Sequence, residues 1–480
     1  MNYGDLTLHT DKYQINMMYA HWRNGTDRQK AAFEAYFRKL PFGNGFAVFA
    51  GLGRFVEYVR GLRFDDETLR YLAEQEEGYE SAFLDKLAGF RFTGDIWSME
   101  EGALVFAGEP LVRIEAEAFE AHLLETALLN FINYQTLIAT KAARIRQVAP
   151  DDALLEFGTR RAQEADAAVW GARAAYLAGF DATSNLRAGH LFGIPTSGTH
   201  AHAWVQMHDS EEEAFRLYAQ TFPLQVTLLV DTYDTLRSGV PNAIRVAKWM
   251  EDQGWRMQGI RLDSGDLAYL SKEARAMLDQ AGLEYVKIVA SNDLDENIML
   301  DLKAQGARID SWGIGTQLIT AADQPALGGV YKLVAKERDG EWEPVIKISG
   351  NPEKVTTPGA KDVYRIIDRG TGIAIADYVA LTDEGDVRSG EPIELFDPAH
   401  PYLNRTVSDY EALPMLTPVF RRGELVYGQP DLTAIRSGHR RQLAMFRREH
   451  LRKLNPEHYP VYLSVKAWKQ KTELIRKRKT

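Results

Sequence analysis

The chain has 480 residues, too many for one ordinary hydrophobic core, and its 45% hydrophobic and 26% charged residues are those of a folded, water-soluble protein. A net charge of −10 provides no global electrostatic footprint for nucleic acid, so an anionic substrate has to be held by local arginines. The absence of cysteine rules out disulfides, thiolate catalysis and cysteine-based zinc sites.

The opening MNYGDLTLHTDKYQ has no basic segment followed by an apolar one, so no signal peptide is expected, and no apolar run is long enough to span a bilayer. A cytoplasmic enzyme without membrane association is the expectation. Ile15, Met18, Tyr19 and Trp22 fall at helical spacing between Asp11 and Arg23, ended by Asn24-Gly25. AAFEAYFRK reads as a strand, PFGNG as a turn and FAVFAGL as a second strand. Helices are expected near Gly53–Arg60 and Asp66–Gln75, strands at RFTGDIWSM and PLVRIEA, and a long helix from Glu120 to Val148.

From Ala153 the texture becomes an alternation of strand and helix. ALLEF, VTLLVD, RMQGIRLDSGD, YVKIVASND and IDSWGIGT are apolar strand runs, each separated from the next by an amphipathic helical stretch. This rhythm implies parallel strands joined by right-handed crossovers. Asp231, Asp263, Asn292, Asp293, Gly313 and Gly315 all fall at C-terminal strand ends, where a (β/α) barrel carries its active site; an open doubly wound sheet is the competing architecture. After Tyr331 turn-rich segments alternate with short strands, and the basic end LIRKRKT reads as a solvated helix terminus. Three domains are expected: residues 1–120, 121–333 and 334–480, the last packing back on the first.

The stretch from Glu156 to Trp204 concentrates the chemistry. EFGTRRA puts Arg160 and Arg161 beyond a strand end, where a planar fork of donors suits carboxylate or phosphate. SGTHAHAW puts His200 and His202 in a Gly/Thr loop, where an imidazole can act as nucleophile or proton shuttle; as a strand, this segment would turn both to one face. Asp231 and Asp263 can bind Mg²⁺, grip a ribose diol or orient a histidine, against the blander alternative of helix capping. WGIGTQL can expose backbone N–H groups to a phosphate. No GxxxxGK[ST], HExxH or GxSxG motif occurs, which removes the P-loop, zincin and α/β-hydrolase routes.

EFGTRRA, GFDATSN and GTHAHAW resemble the nicotinate phosphoribosyltransferase family, and the resemblance runs co-linearly from TDKYQINM through VDTYDT, GIRLDSGDL, IVASNDLDE, WGIGTQL and LGGVYKLV to NPEKVTTPG. It implies an irregular TIM-like α/β barrel with an N-terminal α/β sandwich domain and a C-terminal extension. It also implies a homodimer with the active site at its interface, and coupling of nicotinate to phosphoribosyl pyrophosphate driven by ATP, with Mg²⁺. By the same resemblance His202 is the histidine phosphorylated by ATP, with His200 as its rival, and Asp231 orients it. Phe157 and the partner's Tyr13 would cover the two faces of the pyridine ring. Arg160 and Arg261 would meet the carboxylate or a phosphate, Asp263 the ribose and Mg²⁺, and Gly313 and Gly315 the 5′-phosphate. Ser184 in GFDATSN stands where a nicotinamide-specific relative would carry an aspartate, with Asp181 the other candidate for that position. A quinolinate enzyme would need more cations, and a catalytically inert scaffold would need none of these groups.

Overall fold

Strands and helices form where the apolar periodicities demand them in a computed structural model that describes residues 4–397 and 400–479. The chain divides into two compact units, residues 1–137 with 326–480, and residues 138–325.

In the first unit, Lys30–Phe37 is buried along nearly its whole length because it lies inside a seven-stranded sheet rather than at an edge. Gly329–Arg338 and Val112–Glu117 flank it, both antiparallel. Asp95–Ser98 continues the sheet, and Thr417–Arg421 pairs with it, so late chain completes an early sheet. FAVFAGL yields only a two-residue strand, Ala47–Val48, before the helix Leu52–Gly61 begins. The helix Lys12–Arg23 carries Tyr13, which is 48% exposed. A helix at Ser81–Ala88 has no counterpart in the sequence reading.

The unit also encloses charge. Arg365 is fully buried, donates to both carboxylate oxygens of Asp377 at 2.9 and 2.7 Å, and lies 4.8 Å from the Phe446 ring centroid. Glu109 is buried beside this pair: its Oε2 accepts from Phe106 N at 3.0 Å, but Oε1 has no donor facing it. Burial first, and then the Asp377 charge, push Glu109 well above its ordinary value of 4.5.

The second unit holds a six-stranded parallel sheet. Its strands are β1 (Ala153–Glu156), β2 (Ala182–Thr183), β3 (Thr227–Leu229), β4 (Gly259–Leu262), β5 (Lys287–Ser291) and β6 (Ser311–Ile314). The spatial order is β2-β1-β6-β5-β4-β3. The helix Glu164–Leu177 connects β1 to β2, and its run of small buried residues (Ala168, Ala172, Ala174, Ala175) permits close approach. The expected barrel is not found closed: β2 and β3 terminate the sheet, and no pairing joins them among the described residues. The reason is visible at the ends. β2 has two residues and β3 three, and beyond β2 the chain adds only a single parallel bridge, Thr196 to Thr183, between the helices Leu186–Phe192 and His202–Gln206. Mixed α/β architecture holds; closure does not.

The buried Glu109 has a consequence for stability. Its folded pKa is raised, so the folded chain retains a proton that the unfolded chain releases above about pH 4.5. This contribution is full below that pH and is lost as pH rises. Glu109→Gln removes it, so the stability of the native chain should fall relative to E109Q by up to ~1.4 kcal/mol per pH unit across that window. Urea titrations of both proteins from pH 4.5 to 8 test this; parallel curves would show that Glu109 carries no proton.

Candidate active site

Parallel pairing in register decides which side chains meet. Arg261 lies opposite Leu229 on β3 and Val289 on β5, and Ser291 lies opposite Gly313, itself opposite Leu155. Side chains two apart share a face of a strand. Asp231, Arg261, Asp263, Ser291, Gly313 and Phe157 therefore all belong to one face, at the C-terminal ends of the strands.

Arg261 is the most connected of them. Its Nε donates to Ser291 Oγ at 2.8 Å, one terminal nitrogen to Thr199 Oγ1 at 3.0 Å and the other to Asp263 Oδ1 at 2.9 Å. Ser291 also donates to the same Asp263 oxygen. The guanidinium carbon stands 5.6 Å from the Phe157 ring centroid. Phe157 reaches this position because residue 313 is glycine: a Cβ there would come within 2.6 Å of the ring.

Asp231 is gripped on one side only. Its Oδ2 accepts from Asp263 N at 2.8 Å and Ser264 Oγ at 2.7 Å, whereas Oδ1 is buried with no hydrogen-bond partner among the described residues. An orphaned buried carboxylate oxygen is costly and points to something that binds there.

The two histidines differ in kind. The segment is no strand: His200 lies in a loop and His202 begins the short helix His202–Gln206. His200 is buried against Tyr218 and Phe215, its Nε2 accepts from Leu229 N at 3.2 Å, and its Nδ1 faces Ala201 O at 3.3 Å. Both ring nitrogens are thus engaged by backbone, and burial lowers its pKa to about 4. No lone pair remains to attack anything. His202 is half-buried, with Nδ1 3.2 Å from Thr232 Oγ1. Its Nε2 faces Asp231 Oδ1 and Asp263 Oδ2, each at 3.9 Å. Asp231 therefore stands across Nε2, while the ring's hydrogen bond is made by Thr232.

Other expected residues lie outside this network. Arg160 and Ser184 are exposed and make none of these contacts, and Tyr13 belongs to the other unit. Asp181 is engaged by Arg146 at 2.6 Å and by Leu154 N at 2.9 Å, a structural role. Gly315 follows β6 and precedes the one-turn helix Thr316–Ile319, with Phe157 O 3.0 Å from where a Cβ would stand. Thr199, Thr232, Ser291 and Glu156 escaped the sequence reading. Glu156 is buried, accepts from Thr183 Oγ1 at 2.6 Å and from Gly158 N, and is raised in pKa by burial. Among the described residues no three His, Asp or Glu side chains are grouped to hold a metal by themselves.

A histidine nitrogen facing two carboxylates beside an arginine and an aromatic ring, on the C-terminal edge of a parallel sheet, is the site of an α/β enzyme. The comparisons define which. The model of the nicotinate phosphoribosyltransferase N-terminal domain matches residues 8–133, that of the nicotinate phosphoribosyltransferase family residues 153–367, and that of the C-terminal domain residues 360–471. The chain is 54% identical over 470 residues to nicotinate phosphoribosyltransferase of Bacillus subtilis (strain 168), covering 98% of this chain and 95% of that one. It is 34% identical over 513 residues to nicotinate phosphoribosyltransferase of Homo sapiens, covering 95% and 94%. The crystal structure of human Nicotinic Acid Phosphoribosyltransferase superposes with a TM-score of 0.85 at 32% identity, over 97% of this chain and 99% of that one. Nicotinate-nucleotide pyrophosphorylase from Pyrococcus furiosus shares the fold, with a TM-score of 0.71 at 21% identity, over 93% and 97%. The chain belongs to the nicotinate phosphoribosyltransferase family.

The His200 environment is directly testable. A depressed folded pKa means that its contribution to stability is present above the unfolded value of about 6.5 and is lost as pH falls toward 4. Imidazole ¹⁵N NMR should show His200 neutral through pH 5 with a midpoint at about 4; a midpoint near 6.5 would remove Leu229 N as its partner.

Proposed function

We propose that this chain joins nicotinate to 5-phosphoribosyl 1-pyrophosphate, giving nicotinate mononucleotide and pyrophosphate for NAD biosynthesis, with ATP hydrolysis coupled through a phosphohistidine at His202. The observation that carries this reading is Nε2 of His202, set 3.9 Å from each of two carboxylates, where the neighbouring His200 has both ring nitrogens engaged. With Nδ1–H donated to Thr232 Oγ1, the Nε2 lone pair is the one that attacks the γ-phosphorus of ATP. The P–N bond forms as the bond to ADP breaks, and water later returns the enzyme to free histidine and phosphate.

In the coupling step the pyridine nitrogen attacks the anomeric carbon, and the C–O bond breaks with its electron pair leaving on pyrophosphate. No proton has to move at the reacting nitrogen, so the residues act by binding and orientation. Phe157 offers one face for the pyridine, in the room left by Gly313, and Tyr13 of a second subunit would offer the other in a homodimer. Arg261, beside the Phe157 ring, suits the nicotinate carboxylate, with Arg160 as a further cation at the turn. Backbone around Gly313 and Gly315 suits the 5′-phosphate. The Ser184 hydroxyl can donate to a carboxylate, where an aspartate would repel it.

The donor set fits Mg²⁺. Asp231 Oδ1 lacks a hydrogen-bond partner and, like Asp263 Oδ2, stands 3.9 Å from His202 Nε2, and Mg²⁺ is ordinarily held by one or two carboxylates with water and substrate phosphates completing the shell. Bound there, it would neutralise charge on phosphate oxygens. A scaffold role is disfavoured by the buried unsatisfied Asp231 oxygen, which weakens an inert fold without return. Quinolinate is disfavoured because Arg261, the cation of the network, is already shared with Asp263. Cytoplasmic location follows from this reading; no described helix is long and apolar enough to cross a membrane.

Product formation with nicotinate, nicotinamide and quinolinate, each with phosphoribosyl pyrophosphate and Mg²⁺, with and without ATP, tests the assignment. Nicotinate should be turned over, faster with ATP. His202→Ala should abolish nicotinate-stimulated ATP hydrolysis while keeping slow ATP-independent product formation. Preference for nicotinamide would overturn the reading of Ser184, and retained ATP coupling in H202A would remove the phosphohistidine from His202.

A further inference from the structure

Resting on the phosphohistidine reading above, we infer that Thr199 is a positioning residue that holds Arg261 in place beside the nicotinate pocket while the phosphorylation state of His202 changes. Two sets of contacts lead there. Thr199 Oγ1 accepts from a terminal nitrogen of Arg261 at 3.0 Å and can donate to His200 O at 3.3 Å, so the histidine loop and the arginine beside Phe157 share one hydroxyl. The loop is also pinned one residue later, where His200 is locked to Leu229 N on β3. His200 thereby fixes Thr199 against the sheet, and the link from His202 to the arginine runs through Asp263.

The electrostatics specify the direction of the signal. Arg261 is divided between Thr199 and Asp263, and Asp263 Oδ2 stands 3.9 Å from His202 Nε2. A phosphoryl group on Nε2 brings about two negative charges against that carboxylate and into competition for the same guanidinium. Arg261 has one charge to share among Asp263, the phosphoryl group and an incoming nicotinate. Thr199, a neutral acceptor, fixes the guanidinium's orientation while that sharing changes. A hydroxyl accepting from a charged donor in this position acts on Arg261 without touching the substrate.

The test compares native protein, Thr199→Val, which keeps shape and loses the hydroxyl, and Thr199→Ser, which keeps the hydroxyl. Nicotinate KM is measured with and without ATP, together with acid-labile phosphate incorporated from ATP at His202. In T199V phosphoenzyme should still form, while the ratio of KM without ATP to KM with ATP shrinks on the order of tenfold relative to native; T199S should restore it. Loss of folding would lower phosphoenzyme and maximal rate together with both KM values unchanged, whereas loss of the hydroxyl changes the KM ratio. An unaltered ratio in T199V, or a ratio lost equally in T199S, overturns the role of the hydroxyl. Native protein that forms no phosphoenzyme overturns the phosphohistidine reading itself, and this inference with it.

Discussion

The guanidinium of Arg261 is the group on which the site's geometry depends. It donates to Ser291 on β5, to Thr199 in the histidine loop and to Asp263 beyond its own strand, and it stands beside the ring of Phe157 beyond β1. Four segments far apart in sequence are thereby referenced to one rigid plane. A lysine would satisfy the charge but not the directions, because an ammonium lacks the planar fork that fixes three acceptors at once. Asp231 completes the arrangement from β3 by binding the backbone N–H of Asp263, so both carboxylates facing His202 are oriented by their neighbours rather than by the histidine.

Parallel strands in register make such a site economical. Each strand contributes one or two side chains at its C-terminal end, and the spacing between them is set by the ladder and not by loops. The loops are correspondingly specialised. His200 anchors one of them to the sheet as a buried neutral ring, which leaves His202, two residues on, as the imidazole with an accessible nitrogen. Two histidines that look alike in GTHAHAW are separated entirely by what surrounds them.

Much of this was legible in the sequence. Apolar runs alternating with amphipathic helices announced five of the six parallel strands, and Asp231 and Asp263 could be read as strand-end residues, whereas Arg261 and Phe157 came only with the family resemblance. Sheet closure could not, because it depends on how the two- and three-residue ends β2 and β3 pair, and runs that short carry no periodicity. Ser291 was within reach, as it ends the same strand run whose Asn292 and Asp293 drew attention; both of those prove exposed, with positive φ of 92° and 36°. Thr199 and Thr232 carry little signal in themselves, since a threonine in a loop is common and only register shows which arginine or imidazole it meets. Ser81–Ala88 buries only Phe83 and Leu87, one turn apart, and its first residue lacks a capping side chain before it.

Glu156 shows how far such constraints reach from the ligand. Its buried carboxylate holds Gly158 N and the Thr183 hydroxyl, and its carbonyl accepts from Ser184 N at 2.9 Å. Phe157 and Ser184, the residues proposed to sense the ring and its substituent, are thus tethered through one buried residue, Ser184 by its carbonyl and the neighbours of both by its side chain. Drift in ring selectivity is therefore not free to proceed one position at a time along the pocket wall. A lineage that alters the anchor moves both sensors together, and one that keeps it inherits their spacing, so ancestry in this corner of the molecule is recorded by a residue hidden from the selection it governs.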